Sequence, residues 1–362
     1  MRLINTRTLQ LEDFFAQPTK PEYVILSHRW GADEVSYKDY VKGRYKPTQA
    51  GYRKIARCCD FARQWDWDYV WIDTCCIDKR SSAELSEASM PYHLSLCLVT
   101  GQAINSLYAW YRDARECLVY LTDVTLPAED ADWKRHFAKS AWFTRGWIKF
   151  ENAMQLALRL MNLEALQELL ASRTTIFCGP DWTVLGVKLV AEGIDAKIWK
   201  HVKEMDILID TIADATGIPF DLLAKPDLLG SYSVAQRMSW AAHRETTREE
   251  DRAYCLLGIF DINMPLLYGE RSKAFRRLQL EIIRQSNDES IFVFDRMFDH
   301  EETTEPRARD PHTVIILPDS QNLNEFRKRS LPLLATSPRQ FAGCKGVVKE
   351  RSLQRLPYQM TN

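Results

Sequence analysis

The sequence predicts an α/β fold: a mostly parallel sheet with flanking helices, followed by a helical region. Three observations predict it. Short, near-continuous apolar runs at 23–27, 69–72, 117–121 and 174–177 read as strands buried on both faces. Segments of helical period separate them. From about residue 184 onward the helical period takes over.

In order along the chain, Tyr23-Val24-Ile25-Leu26-Ser27 reads as the first buried strand and runs into the polar His28-Arg29 and then Trp30-Gly31. Residues 34–48 are polar and aromatic and read as a loop. Between Gly51 and Trp67, apolar side chains at Ile55, Cys58, Cys59, Ala62 and Trp65 recur at helical spacing. Tyr69-Val70-Trp71-Ile72 is a second buried strand ending in Asp73. Ile104 to Cys117 reads as a helix with Leu107, Tyr108 and Tyr111 on one face. Cys117-Leu118-Val119-Tyr120-Leu121 is a third strand, ended by Thr122-Asp123, and Thr174 to Phe177 a fourth. Further on, Ser233 is placed to cap a helix over 234–243. The run Ala253 to Leu257 is expected to stop at Gly258. Ser272 heads a helix to Gln285 whose buried face is Phe275, Leu278, Ile282 and Ile283. Ser290 to Phe294 reads as a strand. Residues 297–312 are acidic and polar with two prolines, as in a linker, and the tail holds one apolar run, Val314 to Leu317.

Composition narrows the function. The 362 residues are 46% apolar and 27% charged, the balance of a folded domain rather than a disordered chain. Forty-eight Lys and Arg against 49 Asp and Glu leave a net charge of −1, so no global field draws nucleic acid or an anionic membrane. No apolar run reaches membrane-spanning length, and the first residues lack a signal-peptide core. Nine cysteines include the neighbours Cys58-Cys59 and Cys75-Cys76 but no zinc spacing, which reads as reduced, buried thiols in a cytoplasmic protein. No G-x-G-x-x-G, no G-x-x-x-x-G-K-[ST], no H-E-x-x-H and no G-x-S-x-G occurs, so the common dinucleotide, P-loop, zinc-protease and serine-hydrolase signatures are missing.

In parallel sheets, ligands gather at the carboxyl ends of the strands. Here those ends carry Ser27-His28-Arg29-Trp30, Asp73 to Asp78, and Thr122-Asp123. Each of these residue types also serves as a cap or turn former, but three polar strand ends together point to a shared cleft. His28 is an acid–base candidate or a hydrogen-bonded structural imidazole. Cys75 has no histidine nearby in the sequence and reads as a structural thiol. Trp240, Trp142 and Trp147 read as core aromatics.

YVILSHRWG at 23–31, VWIDTCCIDK at 70–79, AINSLYAWYRDARECLVYLTDV at 103–124 and WFTRGW at 142–147 resemble, in order, the blocks of the fungal heterokaryon-incompatibility (HET) domain. Residues 235–294 resemble the helical region that follows this core in many such proteins. The resemblance implies three divisions: a HET domain over 1–183, a mainly helical region over 184–296, and a linker with a C-terminal segment over 297–362, expected to be truncated. Against the family pattern, extra residues stand near 89–102 and 148–164. They fall inside family blocks, as retained introns would.

HET domains are thought to resemble the TIR fold, a flavodoxin-like parallel sheet. Some TIR domains cleave NAD between nicotinamide and ribose with a glutamate from a W-x-x-x-E motif. By family alignment that glutamate is Glu168. Raw spacing from Trp147 offers Glu151 instead. On a helix, Leu166, Leu169 and Leu170 share a face and Glu168 points the other way, so a solvated Glu168 is the plain alternative. The resemblance makes Ser27, His28, Arg29, Trp30, Asp73, Asp78 and Asp123 the candidate NAD-binding residues. It implies NAD as substrate, with no metal and no firm cofactor. The role it implies is programmed cell death in non-self recognition, as an NAD glycohydrolase or as a non-enzymatic module. The implied partners are a second copy or a sensor protein, with no nucleic acid and no membrane.

Overall fold

The computed structural model describes residues 1–15, 19–78, 108–125, 133–144, 165–190, 196–203, 205–244, 246, 248–295 and 333–348. The expected extra segments at 89–102 and 148–164, the linker at 297–312, the run 314–317, Trp147 and Glu151 lie outside them.

Seven strands form one mixed sheet: β1 (Arg2–Asn5), β2 (Leu11–Asp13), β3 (Val24–His28), β4 (Tyr69–Ile72), β5 (Glu116–Tyr120), β6 (Thr175–Cys178) and β7 (Val184–Lys188). Their spatial order is β2-β1-β4-β3-β5-β6-β7. The four central strands are parallel, with Leu26 in register with Ile72 on one side and Leu118 on the other, and Leu118 with Ile176. Every residue of β3 and β6 is buried, as double-sided coverage requires. The outer strands are antiparallel: β1 pairs β2 and β4, and β7 pairs β6. The chain thus folds as an α/β protein whose parallel centre is flanked by antiparallel edges.

The helix Ala50–Gln64 covers the sheet with Ile55, Cys58, Cys59 and Ala62, as its periodicity predicts; Phe61 joins them, and Trp65 is buried at the helix C-cap. Ser233 heads the helix Val234–Ser239 in a full capping box with Gln236, which explains why that N-terminus is legible in sequence.

Several expectations are corrected. The supposed loop 34–48 contains a helix, Tyr37–Val41, whose cap Ser36 accepts from the Asp39 amide. Residues 184–188 are a strand, not the start of the helical region. Gly258 does not stop a helix but lies inside Leu257–Phe260, where a Cβ would come within 3.0 Å of Tyr108 and Gln167. Ile283 is 37% exposed, and Ala274 and Gln279 take its place on the buried face of Lys273–Gln285. Residues 289–292 form a 3-10 turn rather than a strand, begun by Asp288, whose carboxylate accepts from the Ser290 amide.

Candidate functional site

The carboxyl end of β3 and the helix Ala165–Ala171 meet. Ser27 lies opposite Val119 of β5 and is buried. Its hydroxyl donates to Glu168 Oε2 and accepts from Trp142 Nε1 at 3.0 Å. Tyr111, in the helical stretch 108–113, donates its hydroxyl to Glu168 Oε1 at 3.1 Å. Both carboxylate oxygens are therefore engaged, and Glu168 is 5% exposed. The solvated glutamate does not occur, because the whole helix is buried. Leu166, Leu169 and Leu170 join the apolar core, and Gln167 donates to the Cys255 carbonyl of the helical region. Tyr111 titrates well above the usual phenol range, first because it is buried and then because the Glu168 charge opposes a second anion.

A buried lysine closes the other end of this helix. Lys188, on β7, donates to the Leu169 carbonyl at 2.8 Å and to the Ser172 carbonyl at 2.6 Å. These are carbonyls of a helix C-terminus, left without intrahelical donors. Burial lowers the Lys188 pKa from 10.5 to about 7.

A second polar cluster caps β3 and β4. Trp30 donates its indole N–H to Asp73 Oδ2 at 2.7 Å. His28 Nε2 lies 3.8 Å from Asp73 Oδ1 and 3.9 Å from Glu34 Oε1. Glu34 also accepts from the Gly31 amide at 2.8 Å and pairs with Lys54. Asp73 opens the short helix Asp73–Cys76 where β4 ends. Ser27 and His28 are consecutive residues of β3, so the two clusters meet at the end of one strand while these two side chains project to opposite faces of the sheet.

The remaining candidates are placed apart. Arg29 is exposed, and Asp78 is half-buried. Asp123 is exposed and accepts from Ser140 Oγ at 2.9 Å and the Ala141 amide at 2.8 Å, which secures the start of the helix Ala141–Thr144 that carries Trp142. Cys75 is fully buried and its thiol pKa is pushed well up by burial, which suits a structural group and not a nucleophile. Among the described residues no group of His, Cys, Asp and Glu is arranged to hold a metal. Tyr111, Trp142 and Lys188 are the site residues that pattern reading missed. The two aromatics announce only apolar bulk, and a lysine normally announces surface.

Comparison with known proteins yields three findings. Residues 23–92 match the family model "Heterokaryon incompatibility protein (HET)", and residues 273–360 match a domain of unknown function (DUF8212). Over 269 residues, 72% of this chain, the sequence is 41% identical to vegetative incompatibility protein HET-E-1 of Podospora anserina. The chain spans 16% of that relative's length. No solved structure matches.

Proposed function

The chain belongs to the heterokaryon incompatibility (HET) family, and from that premise we propose that it is a cytoplasmic effector of fungal non-self recognition that brings about cell death by hydrolysing NAD. The parallel strand order β4-β3-β5-β6 supports a TIR-like, flavodoxin-like core, whose ligand crevice lies where the connections diverge, beside β3. One observation carries the enzymatic reading: a buried carboxylate, Glu168, is held by Ser27 and Tyr111 at the carboxyl end of β3.

In the proposed reaction the bond from ribose C1′ to the nicotinamide nitrogen breaks. Nicotinamide keeps the electron pair and leaves neutral, so it needs no proton donor. The sugar becomes oxocarbenium-like, and the Glu168 negative charge stabilises it. Water then adds to C1′ and gives up its proton, leaving ADP-ribose. Ser27, His28, Trp30 and Asp73 are the neighbours able to orient the ribose, Arg29 is a cation for the pyrophosphate, and Asp78 and Asp123 complete the proposed binding set.

Purified protein incubated with NAD should release nicotinamide, read by chromatography. Glu168→Gln, which keeps shape and removes charge, should lower the rate by at least about 100-fold. Equal rates in the two proteins would end the catalytic reading.

A second reading has its own support. Both Glu168 oxygens are already bonded, so the carboxylate also serves as a fastener between three elements. The core would then act without chemistry, by self-association or by recruiting a sensor protein. Absent nicotinamide release together with equal toxicity of wild type and Glu168→Gln in a fungal host would favour it.

A further inference from the structure

The near-zero net charge conceals a concentrated basic surface. Residues 37–57 carry Lys38, Lys42, Arg44, Lys46, Arg53, Lys54 and Arg57 against Asp39. Of these, Lys38, Lys42, Arg44, Lys46, Arg53 and Arg57 are exposed, and among the described residues none of these six pairs with a carboxylate. The acids nearby are occupied. Asp39 accepts from Ser36 Oγ at 2.5 Å, Asp33 accepts from the Ala50 amide at 3.0 Å, and Glu34 pairs with Lys54.

Three tyrosines run through this surface as a ladder. Tyr40 and Tyr45 stack with centroids 5.5 Å apart and planes at 20°, and Tyr45 and Tyr52 with centroids 4.4 Å apart and planes at 17°. Tyr40 is buried, whereas Tyr45 and Tyr52 are half-exposed. The stack brings the cations together. Arg44 and Lys46 flank Tyr45 in sequence and Arg53 follows Tyr52, so three exposed cations each sit one residue from a closely stacked ring pair. The turn is firmly built. Gly43 takes the left-handed conformation at φ 62°, and the Arg44 amide returns to the Asp39 carbonyl at 2.7 Å.

The ladder adjoins the strand-end cluster. The helix Tyr37–Val41, which carries Tyr40, packs against the helix Asp73–Cys76 that opens with Asp73, and Lys54 pairs with Glu34, which lies 3.9 Å from His28 at the tip of β3. Stacked aromatic rings beside clustered cations match a ligand that has a planar base and phosphates. We propose that the tyrosine ladder and its flanking cations bind the phosphorylated, base-bearing half of a nucleotide. The choice of a nucleotide over other anions rests on the proposed NAD chemistry, but the binding itself needs no catalysis.

The test is calorimetric titration of the whole chain, at about 50 mM salt, where phosphate contacts are least screened. ADP, inorganic pyrophosphate and a short oligothymidylate serve as probes. Binding of ADP and pyrophosphate is expected, and the exposed charge reversal Arg44→Glu/Lys46→Glu should weaken both by roughly tenfold or more. Tyr52→Leu, which removes the half-exposed end ring of the ladder, should weaken ADP and spare pyrophosphate. A wild type that binds ADP without cleaving NAD loses the hydrolase reading and keeps this one. The proposal is overturned if ADP does not bind, if the double reversal binds it as wild type does, or if oligothymidylate binds where ADP does not.

Discussion

Ser27 bridges two groups, donating to Glu168 and accepting from Trp142. A carboxylate at 5% exposure is costly unless donors compensate it, and here two hydroxyls do so. Ser27→Ala should therefore destabilise the fold by about 1–3 kcal/mol, more than an exposed serine would, as urea unfolding can measure. Ser27 and Glu168 were recognisable as polar residues at a strand end and in a family block. Tyr111 and Trp142 were not, because the ring of each is core while only its polar tip reaches the site, and sequence periodicity registers the ring. Asp123 shows the opposite case: a strand-end acid of the expected type whose observed hydrogen bonds go to a helix start.

At the scale of elements, the helix Ala165–Ala171 depends on a strand that periodicity does not reveal. Val184–Lys188 is broken by Gly186 and ends in a lysine, yet that lysine is wholly buried on the helix C-terminus. Its amine needs only two N–H groups for its two carbonyls, so it can hold both bonds when neutral. With a folded pKa of about 7 against the usual 10.5, the unfolded chain binds the proton more tightly. Stability should then be lowest below pH 7, rise as pH climbs from about 7 toward 10.5, and level off above. Lys188→Met should remove on the order of 1–3 kcal/mol of that rise, read by comparing urea unfolding of both proteins at pH 6.5 and pH 9. The antiparallel edges escaped reading for a related reason. β1 and β2 are very short, and the partly buried Arg2 pairs with Asp13 across them at 3.3 Å, which blurs any alternation.

Across the whole molecule, the parallel centre was legible because buried strands leave unbroken apolar runs, while distant pairings leave no local trace. Residues 333–348 are the clearest instance. Ala335 and Gln279 exchange two hydrogen bonds, at 2.7 and 3.0 Å, and Phe341 is fully buried. Asp295 donates its amide to the Gln340 carbonyl at 2.8 Å. A chain ended at residue 332 should lose about 3 kcal/mol or more, from Phe341 burial and from a buried Gln279 amide whose Oε1 loses the Ala335 amide and whose Nε2 keeps only the Phe275 carbonyl. A lower unfolding midpoint in urea would register it. The boundary expected at residue 183 meets a similar tie. Gln167 reaches across to the Cys255 carbonyl, 88 residues away, and Gly258 leaves room for Gln167 and Tyr108. Severed after 183, the Glu168 helix would have one flank bared to solvent and a polar amide stranded on it. The seam between sheet and helical region thus runs along the Glu168 helix itself, and whatever pries that seam apart disturbs the carboxylate beside it.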